Sequence, residues 1–430
     1  MQSMAPVTTD AGQLARRLER LRALDRRLVV AADLPPPRPR PSFADPFDRA
    51  EQMAQGLGGR VEAMPSGPVV IVERHTRLPV DLAPLRRLPY AVDPTRPLIS
   101  LDTETTGLGS SAGTVAFLIG VGSWDGADFV TSQLVMPDHG DEPALLEALD
   151  ARIPPDAWLV TYNGRSFDWP LLETRYRMHR RRAPVHAGHL DLLPIARGVW
   201  KHRLPDARLA SVEAAVAGVQ RHEDVPGALI PDRFFGWLRS GRPELLVDVL
   251  DHNREDVVSL GRLLGVMAKV LADPIRRRSE HPGDIAGLAR AYERSGRTAE
   301  ALACYGEALE AWDDGERQPS RLEWTEVAAD GARLLSRLHR HDDAEAAWLE
   351  VAARGGGTAA WAWIAVAKIR EHKRRDVHGA LEAAERARAI VERRRVVGVP
   401  LRAAERDLGG RLRRLRRRAE RSRPPLPVAG

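Results

Sequence analysis

The sequence predicts a mixed α/β domain followed by an all-α domain, and two patterns along the chain support this expectation. Between residues 94 and 272, apolar runs of strand length alternate with helical periodicity, in the order three strands, helix, strand, helices. That order suits a mixed sheet with helices packed against it. After residue 282 the apolar residues recur at helical spacing alone. A chain of 430 residues has room for two or three domains that each bury a core.

Composition and turn-forming residues divide the chain into several expected segments. Helical periodicity over residues 11–30 is followed by a proline-rich stretch at 35–41, which is typical of an extended linker. The expected segments are an N-terminal helix with this linker (1–57), a small β-hairpin extension (58–93), the α/β domain (94–272), helical repeats (282–392) and an arginine-rich C-terminal helix and tail (393–430).

Composition also narrows the class of protein. The single cysteine, Cys304, excludes an internal disulfide framework and favours a reducing compartment. No apolar run reaches membrane-spanning length, and residues 1–10 lack the basic segment and apolar core of a signal peptide. We therefore expect a cytoplasmic protein without a membrane partner. The net charge of +6 favours nucleic acid weakly, because nearly all basic residues are arginine and GC-rich codon usage produces the same bias.

The α/β domain is expected to begin with a buried strand that leads into the string Asp102-Thr103-Glu104-Thr105-Thr106-Gly107. Asp102 and Glu104 are two positions apart, so they lie on the same face of an extended chain. Two adjacent carboxylates repel each other, and Mg²⁺ or Mn²⁺ neutralises such a pair through its preference for carboxylate oxygen. An isolated Asp-x-Glu is, however, more often part of a solvated strand edge.

Two further strings carry acidic residues. Asn163-Gly164-Arg165-Ser166-Phe167-Asp168 follows a predicted strand and places Asp168 in the first turn of a helix, where an aspartate also commonly serves only the helix dipole. His252-Asn253-Arg254-Glu255-Asp256 is expected to open another helix. His252 and Asp256 are four positions apart and therefore share a helix face. A lone histidine on a helix is more often a surface or capping residue.

Together the three strings resemble the motifs of the DEDD (DnaQ-like) 3′–5′ exonucleases, which have a ribonuclease-H-like fold. The resemblance implies that two divalent cations, Mg²⁺ or Mn²⁺, bind to Asp102, Glu104, Asp168 and Asp256. It implies that His252 takes the proton from the attacking water. It also implies that the terminal nucleotide is contacted by Thr105, Thr106, Gly107, Leu108 and Asn163.

The third string departs from both subtypes of that family. One subtype has a tyrosine four residues before its last aspartate, and the other usually has a histidine five residues before it. Here His252 stands four residues before Asp256, and Asp251 stands five before it. The assignment of the base therefore rests on a spacing that matches neither subtype.

A long helical insert separates the second and third strings. It contains Asp191-Leu192-Leu193, Leu209-Ala210-Ser211-Val212-Glu213 and Arg221-His222-Glu223-Asp224-Val225-Pro226-Gly227. With the third string, these sequences resemble the YprB-type branch of the ribonuclease-H-like proteins over about residues 58–272. Asp191 is expected to cap a helix, and a place beside the metal site is the alternative.

The C-terminal part has the pattern of helical hairpins. The 34-residue tetratricopeptide template is matched by Leu288, Ala289, Tyr292, Gly296, Ala301, Tyr305 and Ala308. Two further, weaker copies follow, and three such units can bury a shared face. The arginine-rich helix after residue 393 is expected to close the array. Its outer face is either a solvated basic surface or a phosphate contact, and it includes Arg413, Arg414, Arg416, Arg417 and Arg418.

These features predict a metal-dependent 3′–5′ exonuclease that acts on nucleic acid with a 3′ end, with single-stranded DNA and a role in DNA repair favoured. The repeats would dock a protein partner, such as a helicase, because the chain lacks a phosphate-binding motor loop. Residues 58–272 are expected to hydrolyse short strands without residues 282–430. The alternatives are a tetratricopeptide scaffold with a silent nuclease domain, a structure-selective endonuclease and an RNA exonuclease.

Overall fold

The computed structural model describes residues 45–107, 113–221, 225–314 and 322–421. Several sequence predictions lie outside the described residues. These are the helix at 11–30, the proline-rich stretch at 35–41, Leu108 and the triplet His222-Glu223-Asp224.

A seven-stranded sheet organises the first part of the chain. Its strands are β1 (Arg60–Met64), β2 (Gly67–Arg77), β3 (Leu98–Thr105), β4 (Ala116–Asp125), β5 (Asp128–Val135), β6 (Trp158–Thr161) and β7 (Gly188–Asp191). Across the sheet the order is β1-β2-β5-β4-β3-β6-β7. In this order, each neighbouring pair from β1 through β2, β5 and β4 to β3 is antiparallel, whereas β6 pairs in parallel with both β3 and β7. The predicted mixed sheet is confirmed.

Helices flank this sheet. They are α1 (Pro46–Leu57), α2 (Glu142–Asp150), α3 (Asp168–Met178), α4 (Leu192–Val199), α5 (Leu209–Val216), α6 (Ile230–Ser240), α7 (Val247–Val266) and the short α8 (Pro274–Arg277). A π-helical turn, Met267–Leu271, continues α7. Single 3-10 turns occupy Ala83–Arg87, His139–Asp141, Lys201–Arg203, Gly227–Leu229 and Pro243–Leu246.

The β1–β2 hairpin belongs to the main sheet. Its turn, Pro65-Ser66-Gly67, has the type of sequence expected for a hairpin, but β2 also pairs with β5 along eight residues. Helix α1, which the sequence analysis did not predict, buries Ala50, Met53 and Leu57 against the same core. The predicted extension is therefore an integral edge of the α/β domain.

Two hydrophobic cores lie against the sheet. Ile99 and Leu159 belong to the first core, which includes buried residues of α1, α2, α3 and α6. Leu98 and Val160, their neighbours along the strands, belong to the second core, which includes residues of α4 and the later turns of α7. Because successive strand residues point to opposite faces, the two cores cover opposite sides of the sheet.

The second part of the chain is entirely helical within the described residues from 282 onward. Its helices are α9 (Pro282–Arg294), α10 (Thr298–Asp314), α11 (Trp324–Arg337), α12 (His341–Arg354), α13 (Ala359–His372), α14 (Val377–Val396) and α15 (Arg402–Arg421). Consecutive helices pack as hairpins, and α15 packs on α14. The predicted all-α region is confirmed, and its assignment to the tetratricopeptide class stays a prediction.

The first helical hairpin completes the second core of the α/β domain. Ile285 and Leu288 of α9 are buried in the same cluster as Leu98 and Val160. Helix α9 approaches α4 so closely that a Cβ on Gly287 would lie 2.4 Å from a backbone oxygen of α4. The boundary predicted between residues 272 and 282 is a change of secondary structure and not a break in the core.

Helix α15 is fastened to the array by a buried carboxylate. The Glu371 side chain, fully buried on α13, accepts hydrogen bonds from Arg411 at 2.7 Å and Arg414 at 2.8 Å. Arg418 pairs with the same carboxylate at 3.3 Å, and Arg416 pairs with Glu385 at 2.6 Å. Several arginines of the predicted outer face therefore hold the helix in place.

No helix within the described ranges is long and apolar enough to cross a membrane.

Candidate active site

Three elements contribute the acidic residues that the sequence analysis singled out. Asp102 and Glu104 lie on β3, Asp168 is the first residue of α3, and Asp256 lies on α7. The pairing of β3 with β4 shifts register between Glu104 and Thr105, and such a bulge redirects the side chains beside it. The third string does not open its helix as predicted, because α7 begins at Val247 and His252 lies in its second turn.

The electrostatics of Asp102 place the other three carboxylates within electrostatic reach of it. Burial raises the pKa of Asp102 well above its usual range, and the charges of Asp256, Glu104 and Asp168 raise it further. Burial also raises the pKa of Asp168 to about 6, although its Oδ1 accepts a 2.5 Å hydrogen bond from the Thr103 hydroxyl. The site therefore concentrates more negative charge than the protein alone can readily stabilise.

His252 lies between two of these acids. Its Nε2 is 3.9 Å from Glu104 Oε1 and 3.8 Å from Asp256 Oδ2. The four-residue spacing that departs from both subtypes thus still brings the imidazole to the acidic residues. At these distances it can exchange a proton with a small molecule bound beside the acids.

Apart from Leu108, the residues predicted to contact a nucleotide lie at the end of β3 and in the two loops that follow β3 and β6. The Thr105 hydroxyl donates to the Gly107 carbonyl at 2.7 Å, and Thr106 Oγ1 accepts from the Val115 amide at 3.0 Å. Both hydroxyls therefore shape the turn that follows β3. Asn163 is exposed and has a positive φ of 69°, in the loop that leads to α3.

Asp191 holds the loop that carries Asn163. Its Oδ1 accepts from the Leu193 amide at 3.0 Å, which confirms the predicted helix cap. The same carboxylate accepts from the amides of Asn163 at 2.8 Å and Arg165 at 3.3 Å. Asp191 therefore fixes the backbone that leads to Asp168, a role that its position in the sequence did not indicate.

Asp102 is held by Asn253, a residue that the sequence did not single out. Asn253 is fully buried, and its Nδ2 donates to Asp102 Oδ2 at 2.9 Å. Its Oδ1 accepts from Gln133 Nε2 at 3.1 Å, and Gln133 also donates to the Leu250 carbonyl at 2.7 Å. In the sheet, Gly120 stands between Asp102 and Gln133, and Asn253 fills the space above it. Two features of the sequence could have indicated this contact: the amide side chain next to His252 and the glycine within a central strand.

Comparison with known proteins agrees with this architecture. Residues 99–268 match the family model described as the RNase_H superfamily. Over 299 residues the chain is 35% identical to "Uncharacterized protein YprB" of Bacillus subtilis (strain 168), a match that covers 67% of this chain and 68% of that protein. The chain belongs to the YprB family. Its RNase_H superfamily domain points to a nuclease, and hence to nucleic acid as substrate.

The carboxylate set suits the divalent cations that ribonuclease-H-like nucleases generally use. Asp102, Glu104, Asp168 and Asp256 offer the hard oxygen ligands that Mg²⁺ and Mn²⁺ prefer. Their mutual repulsion, seen in the raised pKa of Asp102, is what bound cations would relieve. We conclude that the residues present in this YprB-family chain fit such ions.

A second group of possible ligands lies at the junction with the helical region. Among the described residues, the group whose ligand atoms all lie within 4.8 Å of one another is His202, His281 and Asp284. Arg203, however, donates to both carboxylate oxygens of Asp284, at 3.0 and 2.8 Å. The guanidinium neutralises this carboxylate, to which His202 Nε2 is also hydrogen-bonded at 2.7 Å. Because the guanidinium competes with a cation, we assign this group to the attachment of α9.

A cleft of about 790 Å³ lies along α7, and both His252 and Arg221 line it, whereas Asp102, Glu104, Asp168 and Asp256 do not. It also contains Arg233 and Arg254, which pair with Asp248 at 3.0 Å and Glu255 at 2.8 Å within the same cleft. Because its charges are largely compensated, the cleft does not carry a strong positive field.

Proposed function

We propose that the chain is a metal-dependent 3′–5′ exonuclease of the DEDD type that acts on DNA, with single strands favoured. The observation that carries the proposal is the raised pKa of Asp102, which is caused by burial and by the other site carboxylates. Two cations held by Asp102, Glu104, Asp168 and Asp256 would stabilise the attacking and leaving oxygens of the phosphodiester during in-line displacement.

The side chains of the chain itself would divide the remaining tasks. Asn253 fixes the orientation of Asp102 through its 2.9 Å hydrogen bond. His252, between Glu104 and Asp256, would accept the proton of the attacking water, since an imidazole exchanges protons near neutral pH. The turn from Thr105 to Leu108 and the exposed Asn163 would contact the terminal nucleotide. The products would be nucleoside 5′-monophosphates.

We propose that the helical hairpins form a tetratricopeptide-type array that docks a protein partner. A repeat array presents an extended surface to partners, and a nuclease without its own motor needs another protein to supply a single-stranded end. A helicase active in DNA repair is the kind of partner that would supply such an end.

The test is digestion of 5′-end-labelled single- and double-stranded DNA and RNA with Mn²⁺ or with EDTA. We expect a ladder that shortens by one nucleotide at a time, strongest on single-stranded DNA and absent in EDTA. Asp102→Asn should abolish it, because the amide removes a cation ligand while its oxygen still accepts from Asn253. Asp251→Asn is the matched control, since Asp251 is an exposed acid on α7, next to His252.

The same gel separates the alternatives. Internal fragments would indicate an endonuclease, and preferential loss of the RNA would indicate an RNA exonuclease. Absence of any Mn²⁺-dependent cleavage by the wild-type chain would favour a scaffold with a silent nuclease domain. Full activity of Asp102→Asn would refute the two-metal proposal itself.

A further inference from the structure

The helical insert between the second and third motifs delivers an arginine to the acidic site. Arg221 Nη1 lies 2.6 Å from Asp256 Oδ1. The same guanidinium donates through Nε and Nη2 to the Glu213 carboxylate. Glu213 and Arg221 come from two strings of the insert that no catalytic role had explained, and the fold brings both to the third motif.

Burial makes this arrangement different from a surface ion pair. The Glu213 side chain is fully buried, and those of Arg221 and Asp256 are 9% and 18% exposed. The Ser259 hydroxyl donates to Glu213 from α7, three residues beyond Asp256 on the same helix. Charges at this depth are retained only when they are paired and hydrogen-bonded, and here the guanidinium is held from two sides.

The two oxygens of Asp256 therefore face different groups. Oδ1 faces Arg221, whereas Oδ2 is the oxygen that lies 3.8 Å from His252 Nε2. We propose that Arg221 is a fixed cation of the catalytic site, which holds Asp256 by Oδ1 and leaves only Oδ2 for a divalent ion. The inference rests on the proposed function, because it assigns Asp256 to a metal site.

A consequence for cation binding follows from charge alone. The guanidinium adds one positive charge beside acids that would otherwise attract a divalent ion more strongly, so it should weaken that ion's binding. It also keeps Asp256 in place when no ion is bound. Arg221 is therefore a positioning residue that exchanges some cation affinity for a fixed ligand geometry.

The test is calorimetric titration of the full chain with Mn²⁺, taken as the difference from Asp102→Asn so that only the catalytic site is counted. Arg221→Gln, which keeps a hydrogen-bond donor but loses the charge, should bind Mn²⁺ about three- to tenfold more tightly. Arg221→Lys keeps the charge and should resemble the wild type. Arg233→Gln, from the same cleft but paired with Asp248, should also be unchanged.

Thermal melting provides a second readout. Without metal, Arg221→Gln should melt below the wild type, and Mn²⁺ should raise its melting temperature by more than it raises that of the wild type. A purely structural arginine would lower both melting temperatures equally, which would count against the proposal. If the buried Glu213 prevents Arg221→Gln from folding, the double variant Glu213→Gln/Arg221→Gln leaves no unpaired carboxylate, and comparison with Glu213→Gln alone isolates the loss of the Arg221 charge.

The possible failures can be told apart. If the wild type shows no Asp102-dependent Mn²⁺ binding, the proposed metal-dependent function fails, and this inference fails with it. The role of Arg221 is refuted, and the nuclease proposal stands, if the wild type binds Mn²⁺ but Arg221→Gln binds it equally or more weakly than the wild type. The same conclusion follows if the double variant binds Mn²⁺ equally or more weakly than Glu213→Gln alone.

Discussion

One added methyl group at Gly120 tests how the site is built. Gly120 pairs with Asp102 on one side and Gln133 on the other, in the centre of the sheet. A Cβ at this position would lie 2.2 Å from Asn253 Oδ1 and 2.7 Å from Val257 Cγ2. The backbone at Gly120 does not have a positive φ, so alanine would be opposed only by this lack of space.

The expected magnitude of Gly120→Ala follows from these distances. Asn253 must retreat by about 0.8 Å to restore a 3.0 Å separation, and its 2.9 Å bond to Asp102 cannot survive such a movement. Overpacking of a core costs about 1–3 kcal/mol. A lost hydrogen bond adds about 0.5–1.5 kcal/mol. We therefore expect a loss of about 1.5–4.5 kcal/mol in the free energy of unfolding.

Two assays measure the effect. Equilibrium unfolding in EDTA should show the lost stability, and Mn²⁺-dependent cleavage should fall about 10²-fold because Asp102 is displaced. Gly140→Ala is the control, because a Cβ there meets nothing within 4 Å. In a double-mutant cycle, Gly120→Ala should cost less when Asn253 is already alanine. Strictly additive effects, or a variant that unfolds and cleaves like the wild type, would refute the reasoning.

The remaining predictions concern charge, catalysis and the junction. Folding raises the pKa of Asp102, so ionisation of Asp102 lowers the stability of the folded chain as the pH rises. Asp102→Asn should therefore raise the metal-free melting temperature at about pH 8 and leave it unchanged at about pH 3. His252→Ala should lose about 10²–10⁴-fold in rate while calorimetry shows unchanged Mn²⁺ binding, and wild-type turnover would exclude it as the base. Ile285→Ala should lower the free energy of unfolding by about 2–5 kcal/mol in urea titration. Contrary to the expectation from the sequence, deletion of residues 282–430 should leave the α/β domain aggregated in size-exclusion chromatography, because α9 and α10 complete its second core. A folded, active fragment would contradict the shared core.

The sequence predicted individual strands and helices better than it predicted which of them pack together. Strands β3 to β6 follow from apolar runs and turn residues, because these are local properties of the chain. The pairing of β2 with β5 was missed, because a hairpin sequence specifies its own turn and not the strand beside it. Periodicity shows which face of a helix is buried, but it does not show which other element covers that face.

The same distinction holds for the site. The three acidic motifs could be recognised from their strings, and the structure places their carboxylates within electrostatic reach, while their catalytic role stays a prediction. Asn253 could not be assigned, because its partners Asp102 and Gln133 are more than one hundred residues away along the chain. The convergence of Glu213 and Arg221 on Asp256 likewise depends on the tertiary fold, since no local pattern links them.

Helix α7 explains why the two parts of the chain should not be separable. Val249 and Leu250 of its first turn are buried in the first core, beside the sheet that carries Asp102. Leu263 and Leu264, further along the same helix, are buried in the second core together with residues of α9 and α10. His252 and the third acidic motif lie on α7 between these two anchors. Loss of the first helical hairpin would expose the second core and release one end of the helix that orients the site, so the helical region supports the catalytic geometry whatever partner it binds.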